Sequence, residues 1–100
     1  MSKWIPAKVK PPVEYESTDI SDVEQTDIAY DFYQSDEYLV LLQDGGVAVA
    51  HYIEGYWRNV RTPIEKAELH NYYWTDCHDV LTIIAYMPLS ELPEFKEEEN

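Results

Sequence analysis

An α+β fold is predicted for this chain of 100 residues: a small antiparallel β-sheet, a meander, with one or two short helices and an acidic insertion. Apolar runs rich in β-branched and aromatic residues are separated by glycine turns, which is typical of a meander. Thr62-Pro63-Ile64-Glu65 combines an N-cap threonine, a proline at the first helical position and a glutamate at the third, which indicates a helix start. The length allows one domain, predicted over residues 1–93, followed by an acidic disordered tail at 94–100.

The clearest strand signals lie in the middle of the chain. Residues 38–43 form a short, mostly apolar run that suits a buried strand. Asp44-Gly45-Gly46 predicts a hairpin turn, and residues 47–53 the return strand. Glu54-Gly55 predicts a second turn, with a third strand over residues 56–60.

The elements that follow are a helix and two strands. The capping signal predicts a short helix over residues 63–70. Tyr72-Tyr73-Trp74 and residues 80–86 are strand candidates, and the second ends at Met87-Pro88 because proline cannot donate a ladder hydrogen bond. Trp57, Trp74 and Tyr86 are assigned to the core, since aromatic side chains supply most of the buried area in a small domain.

The charge is strongly negative and unevenly distributed. The chain contains 20 aspartate and glutamate residues and 7 lysine and arginine residues, which gives a net charge of −13. Such a charge repels phosphates, so direct binding of DNA, RNA or an anionic membrane is not expected. Residues 13–37 carry nine of the acids and no base. Aromatic and β-branched residues are threaded through this segment, unlike a disordered acidic tail.

The local structure of the acidic segment is ambiguous. Ser21 and Glu24 match a capping box, so a helix is favoured over residues 21–27, with Glu24, Asp27 and Asp31 on one face. In the alternative, a strand, Ile28, Tyr30 and Phe32 point one way and Ala29, Asp31 and Tyr33 the other. The sequence leaves residues 28–34 open between the two. In both structures several carboxylates lie on an outward surface backed by aromatic residues.

The number of cysteines and the length of the apolar stretches indicate a cellular compartment. Cys77 is the single cysteine, so no intrachain disulfide is possible. The longest apolar stretches are far shorter than the roughly 20 residues of a membrane helix, and the start of the chain has no apolar run of signal-peptide length. A cytoplasmic location is therefore expected.

Short motifs spread along the chain resemble one family. The chain opens with Trp4-Ile5-Pro6, passes through the Asp44-Gly45-Gly46 turn and Tyr56-Trp57, and closes on Met87-Pro88-Leu89. This pattern resembles the small phage and prophage proteins of domain-of-unknown-function family 551, over residues 1–12 and 37–93. Tyr86 stands where that family usually has tryptophan, and residues 13–36 have the character of an insertion. The resemblance implies a fold and a phage setting, in the cytoplasm of the host cell, but no chemistry.

Catalytic and metal-binding motifs are not evident. The glycines lie in predicted turns, which leaves no phosphate-binding loop. Asp76-Cys77-His78-Asp79, with His70 upstream, contains zinc-ligand residue types, but neighbouring strand residues point to opposite faces. A polar turn with Cys77 as a small buried hydrophobe is favoured, and His51 is interpreted as a packing or interface residue. The chain is therefore predicted not to be an enzyme and to use no cofactor or metal.

The function predicted from these features is that of an inhibitor. It is a phage-encoded acidic protein that binds a host nucleic-acid-binding or defence protein with a basic surface, in the manner of an anti-CRISPR or anti-restriction protein, as a DNA or RNA mimic. The alternative is a non-catalytic structural or accessory phage protein that acts by protein contact. The oligomeric state is left open. The predicted partner-binding residues are Asp19, Asp22, Glu24, Asp27, Tyr30, Asp31, Tyr33, Asp36 and Glu37.

Overall fold

A computed structural model describes residues 4–21 and 27–89 as an antiparallel β-structure. The strands of this part of the chain are β1 (Ile5–Pro6), β2 (Glu14–Ser21), β3 (Ile28–Gln34), β4 (Tyr38–Leu42), β5 (Val47–Asn59), β6 (Glu68–Thr75), β7 (Val80–Leu81) and β8 (Ile83–Pro88). A 3₁₀ turn at Ile64–Lys66 lies between β5 and β6. The α+β prediction is therefore wrong, and the fold is nearly all β.

The helix predicted over residues 63–70 is reduced to that one turn. Pro63 has extended backbone angles (φ −60°, ψ 148°), and no side chain caps the turn. From Glu68 onward the chain joins β6, which pairs with β5 along its length. A capping signal is worth only about 1 kcal/mol, so it yields to a long ladder of backbone hydrogen bonds.

β5 is the central strand, and it runs through the turn predicted at Glu54-Gly55. One edge of β5 pairs first with β4 and then with β3, while the other edge pairs with β6. Gly55 permits close packing within this continuous strand. A Cβ at Gly55 would lie 3.4 Å from Phe32 Cε1 and 2.5 Å from Asn71 Oδ1. The glycine therefore marks a place where neighbouring side chains cross the backbone, and not a reversal of the chain.

A ring of strands encloses the core; strand pairings close the ring, except between β7 and β8, where the chain itself connects the two strands. β5 pairs with β6, β6 with β7, and β4 pairs with both β8 and β5, while β8 follows β7 after Thr82. The buried cluster within the ring consists of Tyr38, Val40, Ala50, Tyr52, Trp74, Ile83 and Tyr86. The core assignments of Trp74 and Tyr86 are confirmed, whereas that of Trp57 is wrong because its side chain is 39% exposed.

The sheet extends beyond the ring as an arm, made of β2, β3, the second half of β5 and the first half of β6. The molecule is accordingly elongated, with extents of 58 × 29 × 23 Å. The strand alternative for residues 28–34 is confirmed. Of the helix predicted over 21–27, Ser21 ends β2, Asp27 has a positive φ of 56°, and residues 22–26 lie outside the described part.

Two faces of the arm result from strand alternation. The inner face continues the core side of β5 and carries Asp31, Glu54 and Tyr56. The outer face carries Tyr30, Phe32 and Trp57. Cross-strand partners share a face, so the registers place each paired residue of the arm on one side or the other.

Candidate protein-binding surface on the arm

The outer edge of the arm is an acidic strand. β2 pairs with β3 on one side only, and a β-bulge lies between Tyr15 and Ser17. Glu14, Glu16 and Asp19 are exposed along it, and none of them forms an ion pair with another described residue. A bulge and a row of charges are common means of keeping an edge strand from pairing with other sheets. The edge is therefore better suited to side-chain contacts than to strand addition.

Inner-face contacts hold this edge strand in place. The Thr18 hydroxyl donates to Asp31 Oδ1 at 2.7 Å and shares a 2.7 Å hydrogen bond with the Tyr15 hydroxyl. The Tyr15 and Tyr33 rings meet edge to face, with centroids 5.8 Å apart, and Tyr33 meets Tyr56 in the same way at 5.4 Å. The carboxylates of β2 are thus carried on a fixed strand.

Asp31, one of the predicted binding residues, lies inside the arm. Its carboxylate is fully buried and accepts two hydrogen bonds from Arg58, from Nε at 2.8 Å and from Nη2 at 3.1 Å. The Arg58 hydrogen bonds hold the pKa of Asp31 below its usual value against the effect of burial. Asp31 therefore joins β3 to β5 and does not belong to the exposed acidic surface.

The two predicted aromatic anchors lie on opposite faces. Tyr30 is half-buried on the outer face, with its ring centroid 5.8 Å from that of His70. Tyr33 is half-buried on the inner face, where burial raises the pKa of its hydroxyl. Only Tyr30 can share a binding surface with the outer-face acids.

The remaining predicted acids lie at the two ends of β3. Asp27 precedes the strand and is exposed, with its Oδ2 atom 3.8 Å from Arg61 Nη1. Asp36 and Glu37 are exposed in the connection from β3 to β4. At about 3.3 Å per residue, β3 keeps these two groups apart by roughly 23 Å. Asp22 and Glu24 lie outside the described residues.

A transverse row on the outer face was not predicted from the sequence. Asp19 of β2 lies opposite Tyr30, Tyr30 opposite Trp57, and Trp57 opposite Glu68 of β6. Two aromatic side chains are thus flanked by a carboxylate on each side. We call this row, together with Glu14 and Glu16 of the edge, the acidic–aromatic face. The alternation of residues 28–34 indicated which face of a strand Tyr30 would occupy. The turn predicted at Glu54-Gly55 separated Trp57 from the preceding strand, so its place in the row was not expected.

The Asp76–Asp79 segment forms the polar turn predicted for it. Asp76 Oδ1 accepts hydrogen bonds from the backbone N–H groups of His78 and Asp79, at 2.9 and 2.8 Å. These hydrogen bonds lower the pKa of Asp76. Cys77 is exposed, so its assignment as a buried hydrophobe is wrong. Within residues 4–21 and 27–89, no three His, Cys, Asp or Glu side chains are placed to hold a metal ion.

A second carboxylate, Glu54, is buried on the inner face, at a position where the sequence predicted a turn. It is 3% exposed, and its Oε2 atom lies 2.7 Å from Lys10 Nζ. Tyr52 and Tyr56 donate their hydroxyl hydrogens to its two oxygens at 3.1 and 3.0 Å. Burial alone would raise the pKa of Glu54, but these three partners together hold it below its usual value.

Comparison of this chain with protein-family models, with curated proteins and with solved structures found no match. The described residues contain no helix long and apolar enough to cross a membrane.

Proposed function

We propose that this chain is a phage-encoded acidic inhibitor that binds a host nucleic-acid-binding protein through its acidic–aromatic face. The observation that carries the proposal is the row Asp19–Tyr30–Trp57–Glu68, in which aromatic side chains lie between carboxylates that form no ion pair with a described residue. Aromatic residues are enriched at the centres of protein interfaces, and carboxylates complement a basic partner.

The distribution of cations supports a net negative surface at the edge of the arm. Arg58 is bound to Asp31 and Lys10 to Glu54, both on the inner face. Arg61 lies near Asp27, at the end of β3. No described cation is paired with the acids of β2, so their charge remains available to a partner.

The spacing of charges along β2 supports nucleic-acid mimicry. Glu14 and Asp19 lie opposite Gln34 and Tyr30, which are four residues and hence roughly 13 Å apart on β3, about four times the ~3.4 Å rise per phosphate along one strand of DNA. Lysine and arginine side chains that neutralise phosphates in a host protein could therefore meet these two carboxylates in place of phosphates. The resemblance to family 551 supports a phage origin and hence action in the host cytoplasm.

Capture from a bacterial lysate, followed by titration, tests the proposal. The face variant carries Glu14→Gln, Glu16→Gln and Asp19→Asn. The matched control carries Asp44→Asn, Glu65→Gln and Asp79→Asn, which removes the same charge from exposed positions elsewhere. Proteins captured by the unmodified chain are identified by mass spectrometry, and their affinity for all three chains is measured at rising salt.

We expect a salt-sensitive partner with a basic surface that binds the control nearly as well as the unmodified chain. The face variant should bind at least about tenfold more weakly, since charge pairs at an interface contribute 1.4 kcal/mol or more in total. Equal weakening of both variants would show that only net charge matters. Self-assembly without any host partner would favour the structural or accessory role instead.

A further inference from the structure

A cavity of about 570 Å³ lies on the inner face, on the side of the sheet opposite the acidic–aromatic face. Its volume falls within the range typical of small-molecule sites. The buried part of its lining is formed by Tyr52, Glu54, Trp74 and Ile83. Leu69 and Tyr72 line it too and are 50% and 62% exposed, so they offer apolar surface that a ligand could cover.

The carboxylate of this cavity is already satisfied. Lys10 Nζ, the Tyr52 hydroxyl and the Tyr56 hydroxyl all bind Glu54 at 2.7–3.1 Å. An incoming cation would have to displace the Lys10 ammonium from a carboxylate that is 3% exposed. The buried carboxylate already has its cation, and a second cation would be repelled by the Lys10 ammonium, so a cationic ligand is disfavoured.

The charged groups left for a ligand are the ammonium groups of Lys8 and Lys10, which are hydrogen-bond donors. Lys8 also lines the cavity, is exposed, and forms no ion pair with a described residue. The Lys10 side chain is 54% exposed, and its ammonium has donors beyond the one directed at Glu54. With two ammonium groups and one carboxylate, the lining has a net positive charge in a chain of net charge −13.

We propose that this cavity binds a small planar aromatic carboxylate. The ring would lie against Tyr72 and Leu69 above the Tyr52–Trp74 pair, whose ring centroids are 5.5 Å apart. The carboxylate would accept hydrogen bonds from Lys8 and Lys10. Aromatic rings stack favourably on tyrosine and tryptophan, and ammonium–carboxylate hydrogen bonds are stronger than neutral ones. The site is independent of the proposed partner surface.

Titration with three naphthalene probes tests the charge preference of the cavity. Naphthoate is the anionic probe, naphthalenemethanol the neutral one and naphthylmethylamine the cationic one. Binding is followed by the NMR shift of the Trp74 indole N–H, with the Trp57 indole on the outer face as an internal reference. We expect naphthoate to bind most tightly, to shift Trp74 and to leave Trp57 unchanged.

Three variants of the full chain locate the contacts. Lys8→Met should weaken naphthoate binding about two- to fivefold, the range for a partly exposed ion pair, and should leave naphthalenemethanol unaffected. Lys66→Met removes the same charge from an exposed position outside the cavity lining and should change nothing. Tyr72→Ala, at an exposed position that need not disturb folding, should weaken all probes that bind.

Tighter binding of the amine than of naphthoate would overturn the proposal. So would equal effects of Lys8→Met and Lys66→Met, a shift at Trp57 in place of Trp74, or the lack of any shift at millimolar naphthoate in a folded protein. Because the site and the acidic–aromatic face use different residues, failure of this test leaves the partner-binding proposal standing.

Discussion

Two carboxylates of the arm, Asp31 and Glu54, are structural, although the acidic character of the chain suggests a surface role for all of its acids. Each is buried and bound by a cation and at least one hydroxyl group. They connect β3 to β5 and the segment before β2 to β5. The residues that fix the arm are therefore chemically the same as those proposed to bind a partner, and only their burial separates the two groups.

Replacement of Asp31 by asparagine should destabilise the fold. The change leaves Arg58 without its charged acceptor, and a hydrogen bond to a charged group is worth about 1.5–3 kcal/mol. We expect a loss of about 2 kcal/mol in the free energy of unfolding, measured by urea denaturation. Asp36→Asn is the control, because Asp36 is exposed, and it should change stability by less than about 0.5 kcal/mol. Equal effects would contradict the structural role of Asp31.

Acid should destabilise the protein partly by protonating the carboxylates of Asp31 and Glu54. The pKa values of Asp31 and Glu54 are lower in the folded chain than their usual values, so their ionised forms stabilise the fold above about pH 4. This contribution is lost as the pH falls through the lower, folded-state values. The free energy of unfolding measured from pH 6 downward should fall less steeply in Asp31→Asn than in the unmodified chain. Parallel curves would rule out Asp31 as a contributor.

Among the strands, β5 is closely approached by a β3 side chain at Gly55. The Phe32 ring lies over this position, 3.4 Å from where a Cβ would be, while the nearest atom, Asn71 Oδ1, ends a rotatable side chain. Gly55→Ala should therefore change stability by less than about 1 kcal/mol, since Asn71 can turn aside. Gly55→Val should cost about 1–3 kcal/mol because its branches meet the ring. Thermal or urea unfolding compares the two, and a harmless valine would contradict the crossing of Phe32 over β5.

Local sequence signals predicted the strands better than they predicted their continuity. The Asp44-Gly45-Gly46 turn is present, with Gly45 at a φ of 97°, and β4 lies where the apolar run placed it. The strand predicted over residues 80–86 is instead divided into β7 and β8, and β8 continues to Pro88. The helix from Pro63 and the turn at Glu54-Gly55 failed for a common reason. Both signals are local, whereas the ladders of β5 with β3 and β6 join residues far apart in the chain.

In the candidate site, too, features that depend on local sequence were predicted, and features that depend on distant residues were not. The strand alternative placed Tyr30 and Tyr33 on opposite faces, as the structure does. The row from Asp19 to Glu68 could not be predicted, because it requires the register of four strands. The burial of Asp31 depends likewise on Arg58, which is distant in sequence.

For the whole molecule, the net charge of −13 has consequences for stability. Like charges repel in the compact state, and this repulsion is screened by salt. We expect the melting temperature to rise when the ionic strength increases from about 0.01 M to about 0.15 M, which shortens the screening length from ~30 to ~8 Å. The face variant should show a smaller rise, since it has lost three acids. A melting temperature that falls with salt would mean that the ion pairs outweigh the repulsion.

In the proposed complex, the acidic–aromatic face occupies a basic, nucleic-acid-binding surface of another protein. Competition measures this most directly: the captured partner is bound to the chain, and the nucleic acid that this partner recognises is then added in increasing amounts. We expect the nucleic acid to release the chain from the partner, and the face variant to be released at lower concentrations than the matched control. A stable complex that holds the partner, the chain and the nucleic acid at the same time would contradict it.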